Sequence, residues 1–205
     1  MYDADFLLEP RIVAVDTPFG KPSEPVTLGK IGSVEVVVIP RHGKGHIMNP
    51  TNVNYRANIW AMKQLGVTRI IAPCAVGSLR EELRLGDLVF TDQFIDRTTK
   101  RISTFYDKEK VCHISTAEPF CPELRKLLMG SAEKLSLPHH KSGTNIVIEG
   151  PRFSTKAESN LFRSWGCDTI NMTMVPECVL AREAEICYAA VAQVTDYDCW
   201  RDLIV

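Results

Sequence analysis

Charge of one sign, long apolar runs and paired cysteine motifs are what this 205-residue chain has little of. Lys and Arg number 24 against 25 Asp and Glu, a net charge of -1. That balance leaves no basic footprint for a nucleic acid and no polybasic signal for a membrane surface. No apolar run approaches the ~20 residues of a membrane-spanning helix. The opening residues, MYDADFLLEPR, have neither the basic start nor the apolar core of a signal peptide. The expectation is a cytoplasmic protein, with the nucleus as a second compartment. The seven cysteines, Cys74, Cys112, Cys121, Cys167, Cys178, Cys187 and Cys199, form no CxxC and no Cys/His zinc spacing. Several sit inside apolar runs, so reduced, buried thiols and no metal site are expected. Internal repeats, low-complexity stretches and linkers are also absent.

What is present is ordinary globular composition: 45% hydrophobic and 24% charged residues. Such a chain has too much apolar content to stay disordered. Its length suits a single domain, residues 1–205, with a real core. Residues 34–39, Val-Glu-Val-Val-Val-Ile, read as a strand by β-branched content. Residues 54–65 carry Tyr55, Ile59, Met62 and Leu65 near helical spacing before Gly66. Residues 69–76 read as a short buried strand, and further strands are expected at 88–90, around Phe94 and Ile95, at 144–148, 169–171 and 187–195. Helices are expected at 122–135, from Ser154 to near Gly166, and at 176–185. This alternation predicts an α/β fold with a central sheet flanked by helices. Residues 11–16, 26–31 and 34–39 lie close together with Gly and Pro between them. They predict antiparallel hairpins, and therefore a mixed sheet.

The predicted strand ends carry the polar chemistry, where sites in such folds form. Arg41-His42-Gly43 offers a planar cationic fork for phosphate or carboxylate, or else a solvated turn. Cys74-Ala75-Val76-Gly77-Ser78 is a small-residue turn whose backbone N–H groups can face an anion, a weak signal alone. In Asp196-Tyr197-Asp198, strand alternation puts both carboxylates on one side. Like charges that close disfavour double ionisation, so one carboxyl can hold a proton. A protonated carboxyl suits a purine leaving group taking its proton at N7; an ordinary acidic loop is the other reading. Phe153 can stack on a flat base or fill the core, and Ser154 can cap a helix or bond a ring edge. Met172 can pack on a sugar face, and Thr173 can bond a hydroxyl or phosphate. Glu177 can accept from two ribose hydroxyls, or serve as a carboxylate at a helix N-terminus.

Taken together, VDTPFGKPS, RHG, NYRANIWA, GSLREE, DQFIDRTTKR, AEPFCP, IEGPRFSTKAES, INMTMVPE and QVTDYDCW resemble the 5'-methylthioadenosine phosphorylases of the trimeric purine nucleoside phosphorylase superfamily. The resemblance runs over residues 15–201. It implies phosphate attack on C1' of 5'-methylthioadenosine, with phosphate a co-substrate and no metal or organic cofactor. By the resemblance Arg41, His42, Cys74, Ala75 and Thr173 hold phosphate, and Met172 and Glu177 lie at the ribose. Phe153 and Ser154 form the base pocket. Asp196 is then the principal partner of N7 and Asp198 its support, a pair selecting a 6-aminopurine. His113 matches a residue lent by a neighbouring subunit, which implies a homotrimer.

Four departures from the family accompany these matches. The sequence begins where the family's first strand and glycine-rich turn end, and it stops before the family's C-terminal helices. Cys74 stands where the family usually has Thr. The stretch between Tyr106 and His113 is shorter than in many relatives. The alternative reading is an impaired homologue that binds adenine nucleosides or joins trimers. A cysteine hydrolase built on Cys74, or on Cys112 with His113, lacks a nucleophile motif.

Overall fold

The computed structural model describes residues 6–201. The expected end of the glycine-rich turn, at Met1, and the last residues, 202–205, lie outside them. In chain order the elements are β1 (Leu8–Val13), β2 (Val26–Ile31), β3 (Val34–Val38), α1 (Tyr55–Gln64), β4 (Arg69–Ser78), β5 (Leu88–Val89) and β6 (Gln93–Arg97). There follow α2 (Pro122–Lys134), β7 (His139–His140), β8 (Thr144–Ile148), α3 (Lys156–Ser164), β9 (Thr169–Asn171), α4 (Met174–Glu183), β10 (Cys187–Asp196) and a 3-10 turn at Asp198–Trp200.

Seven strands form one mixed sheet in the order β6-β8-β9-β4-β10-β5-β7. Its spine is the parallel pair β4 and β10, in register from Arg69 opposite Cys187 to Val76 opposite Val194, after which the register shifts and Gly77 faces Asp196. The sheet is mixed because β9 joins β4, and β5 joins β10, in antiparallel sense. The three early strands do not contribute, contrary to expectation: β1, β2 and β3 form a separate antiparallel sheet. Gly32 at φ 60° and Ser33 make the tight β2–β3 reversal, so the pair closes locally and needs no edge of the larger sheet. β4 is buried on one face only; Ile70, Ala72, Cys74 and Val76 point inward while Ile71 is 52% exposed.

The main core lies between β4/β10 and the helices α1 and α4. Ile70, Ala72, Val76, Ala190 and Val194 meet Ile59, Cys178, Leu180 and Ala181 there. α1 starts because the Asn54 side chain accepts from Ala57 N–H at 3.1 Å. α3 starts at a capping box, in which Thr155 accepts from Glu158 N–H and Glu158 accepts from Thr155 N–H. Thr155, one residue later than expected, is therefore the cap, and Ser154 is left for other work.

The expectation of seven reduced thiols is also corrected. Cys121 and Cys187 form a disulfide across 66 residues of chain. Cys121 caps α2, and Cys187 opens β10 with Cys121 N–H donating to Tyr188 O at 2.8 Å. A backbone bond between distant segments makes the pairing, and no sequence spacing announces it. Among the described residues the other five cysteines are free.

Candidate active site

Arg41 and His42 follow β3 in the irregular stretch before α1. Gly43, at φ 73°, turns the chain back with its N–H donating to Pro40 O. His42 Nδ1 lies 2.9 Å from Met48 O, which fixes Nδ1 as the protonated nitrogen, and its ring stacks on His46 at 4.1 Å. Burial pulls the His42 pKa below its ordinary value, helped by His46 and Arg41 and opposed by the Met48 carbonyl. At neutral pH its Nε2 is then a lone-pair acceptor. Arg41 donates from Nη1 to Pro73 O at 3.0 Å, so its guanidinium lies against β4 one residue before Cys74. Burial alone disfavours that charge, but Glu177 outweighs it and holds the guanidinium above its ordinary pKa. Burial pushes the Cys74 thiol up to about 11, so it is neutral. Ala75 sits on the opposite, exposed face of the strand.

Met172 and Thr173 form the turn from β9 into α4. A Cβ on Gly150, whose φ is +67°, would come within 2.5 Å of Met172 Sδ. Only glycine lets the end of β8 close over the methionine. Thr173 stands at the N-cap of α4 but makes no side-chain capping bond. Glu177 lies in the first turn of α4, as its helix N-terminal reading expects, and both its oxygens are engaged by protein groups. Arg41 binds them bidentately, Nε to Oε1 and Nη2 to Oε2, both at 2.9 Å, and the Tyr188 hydroxyl donates to Oε2 at 2.7 Å.

The carboxylate pair lies at the far end of β10. Asp196 faces Gly77 just past a register shift in the ladder, and a Cβ on Gly77 would lie 2.7 Å from Asp196 Oδ1. Strand alternation does not align the two carboxylates, because the strand ends at Asp196. Asp198 enters a 3-10 turn at φ 48°, and its N–H donates back to Asp196 Oδ1 at 2.8 Å. Thr195 Oγ1 donates to Asp196 Oδ2 at 2.8 Å, so both Asp196 oxygens accept hydrogen bonds. Asp198 is only 3% exposed, and its Oδ2 has no partner among the described residues. Burial raises its pKa, and the neighbouring Asp196 charge adds to the rise. The buried hydroxyls of Ser154 and Ser159 lie near the same carboxyl and oppose that rise without reaching hydrogen-bonding geometry. Phe153 is 60% exposed beside them.

From Cys74 to Gly77 is three residues of β4, about 10 Å. The same stretch of β4 thus meets the Arg41 guanidinium at Pro73 and, at Gly77, the buried Asp198 carboxyl whose pKa is raised. His113 is not part of this gathering; it is exposed in an irregular stretch between β6 and α2. A cavity of about 320 Å³ lies over the start of α1, lined by residues 51–56 and 100–102, and holds none of the candidate residues. Sequence reasoning missed Arg101, whose side chain is 1% exposed. Its Nη1 donates to Met172 O at 2.5 Å and Val175 O at 2.6 Å, and Nη2 donates to Glu149 O at 2.7 Å. It pins the Met172 turn to the segment after β8. Its only sequence signal is its place at the end of DQFIDRTTKR.

Fold and site together define an α/β enzyme of the nucleoside phosphorylase type, and the Phosphorylase superfamily model matches residues 2–202. An S-methyl-5'-thioadenosine phosphorylase of Xenopus tropicalis is 57% identical over 203 residues, covering 96% of this chain and 72% of its own. That of Thermofilum pendens is 55% identical over 202 residues, covering 98% and 77%. A variant of the adenosine/methylthioadenosine phosphorylase of Schistosoma mansoni, solved in complex with methylthioadenosine, superposes with a TM-score of 0.95. It is 44% identical and covers 99% of this chain and 78% of that one. The chain belongs to the S-methyl-5'-thioadenosine phosphorylase family of this superfamily.

Proposed function

We propose that this chain cleaves 5'-methylthioadenosine with inorganic phosphate, giving adenine and 5-methylthioribose 1-phosphate. The observation that carries the reading is that one stretch of β4 meets the Arg41/His42 corner at Pro73 and the buried Asp198, its pKa raised, at Gly77. Phosphate sits against Arg41, His42, Cys74, Ala75 and Thr173. Neutral His42 Nε2 accepts from a protonated phosphate oxygen. A phosphate oxygen forms the bond to C1' as the C1'–N9 bond breaks, and N9 keeps that electron pair. Positive charge developing on the sugar lies between the phosphate anion and Met172. Asp198 gives its proton to N7, so the base leaves as a neutral molecule, and Asp196 accepts from the 6-amino group. A 6-oxo group would oppose acceptor to acceptor there, which is the strong kind of discrimination. Phe153 stacks on the base and Ser154 bonds its edge. The protein groups carry these steps, with phosphate as co-substrate and no further cofactor. His113 serves a neighbouring subunit in a homotrimer working in the cytoplasm and nucleus.

The test is adenine release from 5'-methylthioadenosine by the purified chain, with and without phosphate. Phosphate-dependent release is expected. No release, or release at the same rate without phosphate, overturns the reading.

A further inference from the structure

We propose that Tyr188 and Glu177 are positioning residues for phosphate, acting through Arg41 and not by touching the ribose or the base. The proposal rests on the phosphorolytic reading above and assigns Glu177 a different task within it. Arg41 lies on an irregular segment, and a free arginine there holds many rotamers. Three of its five N–H groups are engaged by the protein: Nε and Nη2 by the two oxygens of Glu177, and Nη1 by Pro73 O. Two N–H groups remain, one on each terminal nitrogen. With the guanidinium clamped from α4 on one side and from Pro73 of β4 on the other, these two are held near Cys74. That is pre-organisation: the anion meets a fork already oriented.

Glu177 by itself is an awkward clamp. It puts a negative charge, 6% exposed, next to a site meant for phosphate. Tyr188 answers this. Its hydroxyl donates to Glu177 Oε2, the same oxygen that receives Arg41 Nη2. The hydroxyl draws on that oxygen's charge, so Nη2 keeps more of its own for the incoming anion. Tyr188 is 3% exposed on β10 and reaches the site only through Glu177. Burial, and then the Glu177 charge, hold its pKa well above the ordinary value, so it is always the donor.

The experiment measures steady-state KM for phosphate and for 5'-methylthioadenosine, together with calorimetric titration by inorganic phosphate alone. The proteins are the unaltered chain, Tyr188→Phe, Glu177→Gln, Arg41→Ala and the double variant Arg41→Ala/Tyr188→Phe. Tyr188→Phe keeps the ring and loses one hydroxyl bond to a charged group. It should raise the phosphate KM and Kd on the order of tenfold and leave the nucleoside KM within about twofold. Glu177→Gln should go further in the same direction. In the Arg41→Ala background Tyr188→Phe should add nothing, because its effect runs through Arg41. Unchanged phosphate affinity in Tyr188→Phe overturns the proposal. So does an equal rise in both KM values, which would mean general loosening, or a full effect persisting without Arg41. If the unaltered chain binds phosphate, and Tyr188→Phe binds it more weakly, but no adenine is released, the positioning role stands and the phosphorolytic reading falls. If the unaltered chain binds no phosphate, both fall.

Discussion

Asp198 shows how a single residue's burial fixes a chemical role. Asp196 and Asp198 are two residues apart; the residue pattern does not rank them, and the resemblance makes Asp196 the principal partner of N7. The structure separates them by their partners: Asp196 has both oxygens occupied, while Asp198 keeps a buried, unpartnered Oδ2 and a raised pKa. In the proposed mechanism the protonated form of Asp198 is the active one, so kcat/KM should fall as pH rises through its elevated pKa. Asp198→Asn removes the transferable proton. It should lower kcat/KM for 5'-methylthioadenosine on the order of 10²–10⁴-fold and erase that limb of the pH profile. Asp196→Asn should keep the limb but relax discrimination against 5'-methylthioinosine. If the limb persists in Asp198→Asn and vanishes in Asp196→Asn, the proton belongs to Asp196, as the resemblance alone would have it. The pair was legible as letters because DxD at a strand end is a local pattern. Which member holds the proton was not, because that depends on a left-handed turn and on α3 packing over it.

At the scale of elements, most strands and helices were legible because hydrophobic period and turn residues act locally. The β2, β8 and β9 boundaries coincide with those expected from β-branched runs, and α1 with its periodic stripe. Partnership between elements was not legible. Nothing local says that the early strands form a sheet of their own, or that the end of β6 reaches the end of β8. That second junction is the Arg101–Glu149 knot. Glu149 accepts from Thr99 N–H, Lys100 N–H, Thr51 Oγ1 and Arg101 Nε, and these bonds overcome burial to hold its pKa down at about 2. A folded pKa below the ordinary 4.5 means stability present above about pH 4.5 and lost as pH falls toward 2. Glu149→Gln should therefore be less stable at neutral pH and should lose less stability between those pH values. Urea midpoints measured at several pH values decide this, and parallel profiles for the two proteins would remove Glu149 from the account. Arg101→Met leaves Glu149 short of a buried partner and frees the Met172 turn. It should cost about 3–5 kcal/mol and raise the nucleoside KM in whatever folded protein remains.

The whole molecule is held by one covalent tie and, in our reading, finished by its neighbours. The Cys121–Cys187 disulfide closes 66 residues and ties α2 to the start of β10. Restricting a loop of that length in the unfolded chain contributes up to about 4 kcal/mol. Cys121→Ser should lower the thermal midpoint of the oxidised protein to that of the reduced one, and equal midpoints before and after reduction would deny the bond a role. Within one chain, however, the site is open. Phe153 is 60% exposed at its mouth, and His113 lies in an exposed stretch with Val111 at 78% and Tyr106 at 40%. Such apolar groups on an irregular segment are costly in water and suit burial against another subunit. In a ring of three, the stretch of one subunit can cover the mouth of the next by a single repeated contact. Sedimentation should then give three times the 23.0 kDa chain mass. Complementation is the sharper measurement. A His113→Ala chain keeps a sound base site but lends nothing; an Asp198→Asn chain lends His113 but has no proton donor. Each alone should be poorly active. Unfolded, mixed and refolded together, they should regain activity, since some sites pair an intact Asp198 with a neighbour's intact His113. If His113 instead served its own chain, every site would still lack one group, and the mixture would be no better than its parts.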